Sequence, residues 1–222
     1  MTNTETGLKA ARKFGLAAVA LACVIVFLAI AGVVTGGTTQ SFDEGFLRGL
    51  RTGADLSTPA GPAFLTPLAH AATDLGGTPF LATLTILLAV WFAVRREWRF
   101  LAILLAAVLG ETVLSSGLKS MFDRPRPEVV PHLVHVSSKS FPSGHASSAA
   151  AVFLTLAALV AAHLKERSSR LFAFAAGGAL AFLVGASRVY LGVHYPTDVI
   201  GGWSFGAAWA AIVWIAARRF QR

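Results

Sequence analysis

The sequence predicts an all-α fold, that of a polytopic integral membrane protein with a bundle of six transmembrane helices. Three observations support this prediction. Of the 222 residues, 55% are hydrophobic and only 14% are charged, whereas an average soluble protein is about 25% charged. The hydrophobic residues form long runs, and the lysines and arginines gather at alternate ends of those runs. The single cysteine excludes a disulfide framework, and the apolar composition excludes intrinsic disorder.

Six runs come close to the roughly 20 apolar residues that a transmembrane helix requires. In chain order they are Phe14–Val34, Pro79–Val94, Phe100–Leu118, Ser143–His163, Leu171–Ser187 and Val199–Ala217. The second and fifth runs are short. Six spans occupy over half of the chain and leave no room for a separate soluble domain. We therefore expect one membrane-embedded domain over residues 1–222.

The first run follows several basic residues and is also compatible with a signal peptide. Its 21 residues exceed the apolar core of about 7–15 residues that is typical of such peptides. We therefore favour a first span that is retained in the mature protein, with cleavage as the alternative.

The net charge of +8 is compatible with binding to nucleic acid, but the placement of the charges favours another explanation. If the N-terminus is cytoplasmic, every inner segment carries three cations, as the positive-inside rule expects. These cations are Lys9, Arg12 and Lys13; Arg95, Arg96 and Arg99; Lys165, Arg167 and Arg170; and Arg218, Arg219 and Arg222. We therefore expect a multi-pass protein of the cell (inner) membrane with cytoplasmic N- and C-termini and no nucleic-acid partner. The outer loops would face the periplasm or the exterior.

The first outer loop, Gly36–Thr78, contains a predicted amphipathic helix at the membrane surface. Phe42, Phe46 and Leu50 recur every four residues, which is the spacing of one helical face. The polar side of this helix is formed by the charged residues between them, Asp43, Glu44, Arg48 and Arg51. The rest of the loop is expected to form short pieces broken by Pro59, Pro62 and Pro67.

Three polar clusters lie at the outer ends of the spans, and the alternation of the spans places all three on one face of the membrane. They supply three cations, two histidines, a carboxylate and a glycine, which are Lys119, Arg126, Arg188, His145, His194, Asp198 and Gly144. A phosphoryl group in transfer carries charge on three oxygens, which positioned cations stabilise. The set therefore suits phosphoryl transfer without a metal ion. Contacts between the cations and lipid headgroups are the alternative.

The second cluster, Pro142–His145, opens the fourth span. Ser143 is a common helix N-cap residue, and the free N–H groups of a first helical turn bind anions. Gly144 would let the backbone approach a phosphate without a Cβ in the way, and His145 would project from the same turn. A simple capping sequence is the alternative interpretation.

The third cluster places His194 and Asp198 four residues apart, with Pro196 at the expected first position of the sixth helix. A carboxylate in the first turn can reach back to a histidine just outside the helix. An Asp–His hydrogen bond fixes the histidine tautomer and leaves the other ring nitrogen free as a nucleophile or base.

In order and spacing, the three clusters resemble the tripartite signature of the type 2 phosphatidic acid phosphatase family. The matching pattern is Lys119-x6-Arg126-Pro127, then Pro142-Ser143-Gly144-His145, then Ser187-Arg188-x5-His194-x3-Asp198. That family shares its phosphatase core with bacterial class A acid phosphatases and vanadium haloperoxidases. A second Arg-Pro pair, Arg124-Pro125, lies two residues before Arg126-Pro127. The spacing of the family signature selects Arg126, and Arg124 is a further candidate for contact with the substrate.

The resemblance implies a role for each matched residue. His194 would attack phosphorus and form a phosphohistidine, and Asp198 would orient it. His145 would protonate the departing alkoxide and then activate water. The residues that would hold the phosphoryl oxygens are Lys119, Arg126, Ser143, Gly144 and Arg188. The family works without a metal ion, so no cofactor is expected.

These observations favour an integral membrane hydrolase that acts on a lipid phosphate, with the lipid and the bilayer as its partners. Candidate substrates are phosphatidate, phosphatidylglycerol phosphate and undecaprenyl diphosphate. A lipid phosphotransferase with an acceptor other than water would use the same residues. A small transporter is less favoured, because Glu111 is the only notable charge well inside a span. A carboxylate there is costly, and we expect its role to be structural rather than catalytic.

Overall fold

Eight α-helices and one short β-hairpin make up residues 3–219, the part of the chain that the computed structural model describes; side chains are described for residues 14–218. In chain order the elements are α1 (Asn3–Thr35), α2 (Gln40–Gly49), β1 (Arg51–Thr52), β2 (Thr58–Pro59), α3 (Leu65–Asp74), α4 (Thr78–Val94), α5 (Trp98–Phe122), α6 (Gly144–His163), α7 (Arg167–Tyr190) and α8 (Pro196–Arg219). The two strands pair antiparallel.

Five helices are long and apolar enough to cross a membrane, namely α1, α5, α6, α7 and α8. Helix α4 has only 17 residues, but together with α3 it forms a pair, bent by 46°, that can supply a sixth span. The prediction of an all-α membrane protein is therefore confirmed, with five candidate spans, or six when the bent pair counts as one. Pro67 lies in the first turn of α3, where a helix tolerates proline.

The orientation of the spans in the membrane is predicted from lysines and arginines, and the structure describes the side chains of only some of them. The cations whose side chains are not described are Lys9, Arg12, Lys13, Arg219 and Arg222. The cations of the two middle segments flank α4, α5, α6 and α7 at one end of the bundle. The three polar clusters lie at the other end.

Helix α6 lies at the centre of the bundle and packs against α5, α7 and α8. Its buried surface is rich in small residues, including Ala146, Ala149 and Ala150, which let neighbouring backbones approach closely. The backbone of α8 is one of these neighbours: a Cβ added at Gly202 would lie 2.6 Å from the carbonyl oxygen of Ser143. The first turns of α6 and α8 are therefore held side by side.

The predicted amphipathic helix is present as α2, but its charged residues do not form one outward side. Phe42 and Phe46 are exposed, whereas Asp43 and Leu47 on the adjacent side are fully buried. Arg51 lies beyond the helix in β1 and is also buried. The prediction is therefore wrong for Asp43 and Arg51, because both side chains find hydrogen-bond partners in the interior.

Two helices extend further toward the polar clusters than their apolar runs predict. Helix α5 continues to Phe122, so that Lys119 lies in its last turn. Helix α7 continues to Tyr190, so that Arg188 also lies in a last turn. A hydrophobic run marks the part of a helix that needs an apolar environment, and the helical hydrogen bonding continues past it. Both cations are therefore held on rigid backbone.

Candidate active site

The eight residues predicted for the site lie at the same end of the bundle. Lys119 lies near the end of α5, Arg126 follows that helix, Ser143, Gly144 and His145 are at the start of α6, Arg188 is near the end of α7, and His194 and Asp198 flank the start of α8. The positive charges of Arg126, Arg188 and Lys119 all act on His194. The fold thus brings the three clusters together around one histidine.

The hydrogen bonds of His194 define which ring nitrogen carries its proton. Its Nε2 lies 3.1 Å from Nη1 of Arg126. An arginine can only donate, so Nε2 is the acceptor and Nδ1 carries the hydrogen. Nδ1 faces Oδ2 of Asp198 and Oγ of Ser140, each at 3.4 Å. The lone pair of the neutral ring therefore points toward the cations.

The charge state of His194 follows from its surroundings. The side chain is 1% exposed. Burial, and then the positive charges of Arg126, Arg188 and Lys119, hold the pKa of His194 well below its ordinary value. The ring is therefore neutral at neutral pH, which leaves the lone pair on Nε2 available for bonding.

Asp198 is fully buried and accepts hydrogen bonds on both of its oxygens. Oδ2 accepts from the hydroxyl of Ser140 at 2.5 Å and from the backbone N–H of Tyr195 at 2.9 Å. Oδ1 accepts from Nη1 of Arg124 at 2.7 Å. These donors fix the plane of the carboxylate beside Nδ1 of His194. Pro196 opens α8, as predicted, and places Asp198 in the first turn.

Arg124, the second of the two arginine candidates, is buried and bridges two carboxylates. Its Nη1 binds Asp198, and its Nη2 binds Oδ2 of Asp43 at 2.8 Å. Its guanidinium carbon lies 4.2 Å from the centre of the Tyr195 ring. Burial alone would lower the pKa of Arg124, but Asp198 and Asp43 raise it above its ordinary value. Arg124 is thus engaged inside the protein, and Arg126 is the arginine that reaches His194.

Arg126 and Lys119 are held by backbone carbonyls of the segment before α6 and of the loop between α7 and α8. Arg126 donates from Nε to the carbonyl oxygen of Ser138 at 2.6 Å and from Nη1 to that of Val193 at 2.6 Å. Nζ of Lys119 donates to the carbonyl oxygen of Lys139 at 2.8 Å. Backbone carbonyls therefore orient these cations without neutralising them, so both remain able to attract an anion.

Arg188 is oriented by a residue that the sequence does not indicate. Its Nη1 donates to Oγ1 of Thr73 on α3 at 2.7 Å, and both side chains are buried. Close by in the chain, Gly76 packs on the start of α6, and a Cβ there would lie 3.3 Å from the carbonyl oxygen of His145. The end of α3 thus forms one wall of the site.

The start of α6 forms another wall of the site. Ser143 is the N-cap residue, but its hydroxyl is buried and has no hydrogen-bond partner among the described residues. A Cβ at Gly144 would lie 3.8 Å from Nζ of Lys119. The three cations that act on His194 also act on His145. An anion placed among these cations would meet the free N–H groups of α6.

Glu111 lies deeper in α5 and is 1% exposed. It accepts a hydrogen bond from the hydroxyl of Ser147 at 2.5 Å and another from that of Ser148 at 2.7 Å. It therefore ties α5 to the first two turns of α6, which is the kind of structural role expected from the sequence.

The chemistry of the site favours an anion as its ligand. Within the described part of the chain, no group of three or more His, Cys, Asp and Glu side chains is arranged to hold a metal ion. The side chains that converge on His194 are cationic, and arginine forks match the oxygens of a phosphate.

Fold and site together define a class of protein: helical membrane proteins with a cationic, histidine-containing site at one end of the bundle. The family model described as the PAP2 superfamily matches residues 100–222. The chain belongs to this family, which confirms the family predicted from the three motifs.

Bacterial proteins are among the relatives of this chain. The chain is 37% identical to phosphatidylglycerophosphatase B of Bacillus subtilis (strain 168), over 82% of this chain and 86% of the relative. It is 28% identical to a lipid A 1-phosphatase of Rhizobium etli, over 71% of this chain and 74% of the relative. The crystal structure of a transmembrane PAP2-type phosphatidylglycerolphosphate phosphatase from Bacillus subtilis matches with a TM-score of 0.80 and 33% identity, covering 91% of this chain and 98% of that one.

Proposed function

We propose that this protein is an integral membrane phosphatase that removes the phosphoryl group from a lipid phosphate monoester or diphosphate through a phosphohistidine. The observation that carries the proposal is the neutral ring of His194, whose Nε2 lone pair faces Arg126 at 3.1 Å. A nucleophile with an orienting carboxylate on one side and cations on the other suits attack on phosphorus.

In the first step, Nε2 of His194 attacks phosphorus in line. The N–P bond forms as the bond from phosphorus to the lipid oxygen breaks. His145, which becomes protonated when the negative charge of the bound phosphate offsets the surrounding cations, gives its proton to that oxygen. Lys119, Arg126 and Arg188 stabilise the charge on the three equatorial oxygens, and the N–H groups after Ser143 and Gly144 bind them as well. Asp198 stabilises the positive charge that develops on the ring of His194.

In the second step, water attacks the same phosphorus from the side that the lipid oxygen has left. His145 accepts a proton from this water, the N–P bond breaks, and inorganic phosphate is released. His194 returns to its neutral form with hydrogen on Nδ1. The cycle uses only side chains of this chain and one water molecule.

The proposed substrate is a lipid because the site lies at the end of a membrane-spanning bundle, where a headgroup can enter while its acyl chains stay in the bilayer. Two relatives are named for action on phosphatidylglycerophosphate and on the 1-phosphate of lipid A, and a third is named as a putative undecaprenyl-diphosphatase. We extend this class to the present chain, with phosphatidylglycerol phosphate as the first candidate.

The proposed orientation places both termini in the cytoplasm and the site on the periplasmic or outer side of the cell membrane. The distribution of lysine and arginine supports it, since the predicted inner segments hold three cations each. The site would then act on lipids of the outer leaflet.

The test is phosphate release by the purified protein in detergent, with excess EDTA throughout. The substrates are phosphatidylglycerol phosphate, phosphatidate, undecaprenyl diphosphate and a water-soluble phosphate ester. His194→Ala is compared with His163→Ala, since His163 lies at the opposite end of α6. We expect release from at least one lipid to survive EDTA, to fall by on the order of 10³-fold or more in His194→Ala, and to persist in His163→Ala.

Three outcomes contradict the proposal. Loss of activity in EDTA would show that the reaction needs a metal ion. Full activity in His194→Ala would remove the phosphohistidine. A folded wild-type protein that releases no phosphate, but forms a new lipid phosphate when an alcohol acceptor is added, is a phosphotransferase.

A further inference from the structure

Helix α2 sends one charged side chain from the first loop into the protein interior beside the site. Asp43 is fully buried, and a carboxylate is seldom buried unless its charge is paired. Its Oδ1 accepts from the backbone N–H of Thr197 at 3.1 Å. Its Oδ2 accepts from the hydroxyl of Thr197 at 2.6 Å and from Nη2 of Arg124 at 2.8 Å. Asp43 is thus joined directly to the first turn of α8.

Arg124 connects this carboxylate to the carboxylate beside the histidine. Its Nη1 donates to Oδ1 of Asp198 at 2.7 Å, and Oδ2 of Asp198 faces Nδ1 of His194 at 3.4 Å. A guanidinium is planar and rigid, so its two nitrogens cannot move independently. The position of Asp43 therefore sets that of the guanidinium, which in turn orients the carboxylate of Asp198.

The charges of these groups matter as much as their positions. Two carboxylates and one guanidinium leave one net negative charge next to His194. The ring of His194 becomes positive when it bonds to phosphorus, and the cations around it oppose that change. Without the charge of Asp43, Arg124 would neutralise Asp198, and the ring would lose most of its compensation.

We propose that Asp43 is a positioning residue of the reaction, acting through Arg124 to orient Asp198 and to keep it an effective anion beside His194. The inference rests on the proposed function, because it concerns the same histidine. Asp43 lies outside both the three matched motifs and the region matched by the family model, residues 100–222.

The experiment compares Asp43→Asn with Glu44→Gln in the full-length protein in detergent. Glu44 is the next residue of α2 and pairs with Arg48 at 3.5 Å on the surface, so its variant removes the same charge from the same helix. Two quantities are measured: kcat with the best lipid phosphate, and the NMR resonance of the proton on Nδ1 of His194. That resonance is assigned by its loss in His194→Ala.

We expect Asp43→Asn to lower kcat by on the order of tenfold to a hundredfold, as loss of an orienting partner typically does. We also expect it to shift the Nδ1 proton upfield, since the contact of Nδ1 with Oδ2 of Asp198, 3.4 Å in the wild type, loosens. Glu44→Gln should change neither. In an Arg124→Gln background, Asp43→Asn should change kcat by less than about twofold, because the connection is already broken.

The inference is overturned if folded Asp43→Asn keeps kcat within about twofold of the wild type and leaves the resonance in place. If Asp43→Asn does not fold, Arg124→Lys takes its place, because lysine keeps the positive charge but cannot donate to two carboxylates from one rigid plane. An unchanged kcat and an unchanged Nδ1 resonance in that variant would equally refute the inference. A wild type without phosphatase activity contradicts the proposed function instead, and the resonance still reports whether Asp43 orients Asp198.

Discussion

The contact between α6 and α8 can be tested with a single methyl group. A Cβ at Gly206 would lie 2.2 Å from the carbonyl oxygen of Ser147 and 2.9 Å from Cβ of Ala150, whereas a Cβ at Gly178 on α7 would have no neighbour within 4 Å. Both glycines are within helices, so Gly→Ala gives each helix the same intrinsic gain of up to about 1 kcal/mol. The difference between the two variants therefore isolates the steric effect.

The expected magnitude follows from the distance. Carbon atoms of real side chains essentially never approach closer than 3.0 Å to such a neighbour, so Gly206→Ala must push the helices apart by nearly an ångström. Overpacking of this kind costs about 1–3 kcal/mol, and sometimes more. The first turns of α6 and α8 carry His145 and Asp198, and a misplacement of about 1 Å can cost on the order of a hundredfold in rate.

The assay is thermal unfolding in detergent together with phosphate release. Gly206→Ala should unfold at a lower temperature than the wild type and lose most of its activity, whereas Gly178→Ala should be at least as stable and fully active. If the two variants behave alike, the backbone contact between α6 and α8 does not hold the site together.

Three further predictions concern charge and hydrogen bonding. Burial holds the pKa of folded His194 below its ordinary value, so below about pH 6.5 this histidine binds a proton in the unfolded chain and not in the folded protein. The free energy of unfolding should therefore drop by up to about 1.4 kcal/mol per pH unit. Measured unfolding of His194→Ala as a function of pH should lack this contribution. Thr73→Val removes the partner of Arg188 and should lower kcat/KM about tenfold, measured by phosphate release. Glu111→Leu removes the acceptor of two serine hydroxyls, of which that of Ser147 keeps the carbonyl oxygen of Gly144 within reach, and should cost about 1–3 kcal/mol in all, measured by thermal unfolding.

The spans and the principal site residues can be predicted from sequence because their signals are local. An apolar run long enough to cross a bilayer appears within about 20 residues, and His194 and Asp198 lie within one helical turn of each other. The broken span is harder to predict. Helix α3 is short and contains Pro67, and its place beside the site depends on its packing against α7.

The partners that orient the site are not predictable in this way, because they are distant in the chain. Asp43 is 81 residues from Arg124, and Thr73 is 115 residues from Arg188. The sequence offers one weak signal: Asp43 and Leu47 are four residues apart, so they share one side of α2, adjacent to the side that carries Phe42 and Phe46. Such a helix needs something buried to pair with its carboxylate, but its sequence does not identify that partner.

The break between α3 and α4 has a consequence for how the molecule occupies the bilayer. A helix can be interrupted at membrane depth only where its freed backbone groups meet protein or water. Here Gly76 N–H donates to the carbonyl oxygen of Thr73 at 3.0 Å and Gly77 N–H to that of Asp74 at 3.0 Å. The interruption thus satisfies its own backbone and leaves the side chain of Thr73 for Arg188. Helix α4 thus supplies the apolar part of the bent pair, and α3 supplies the hydroxyl that orients Arg188.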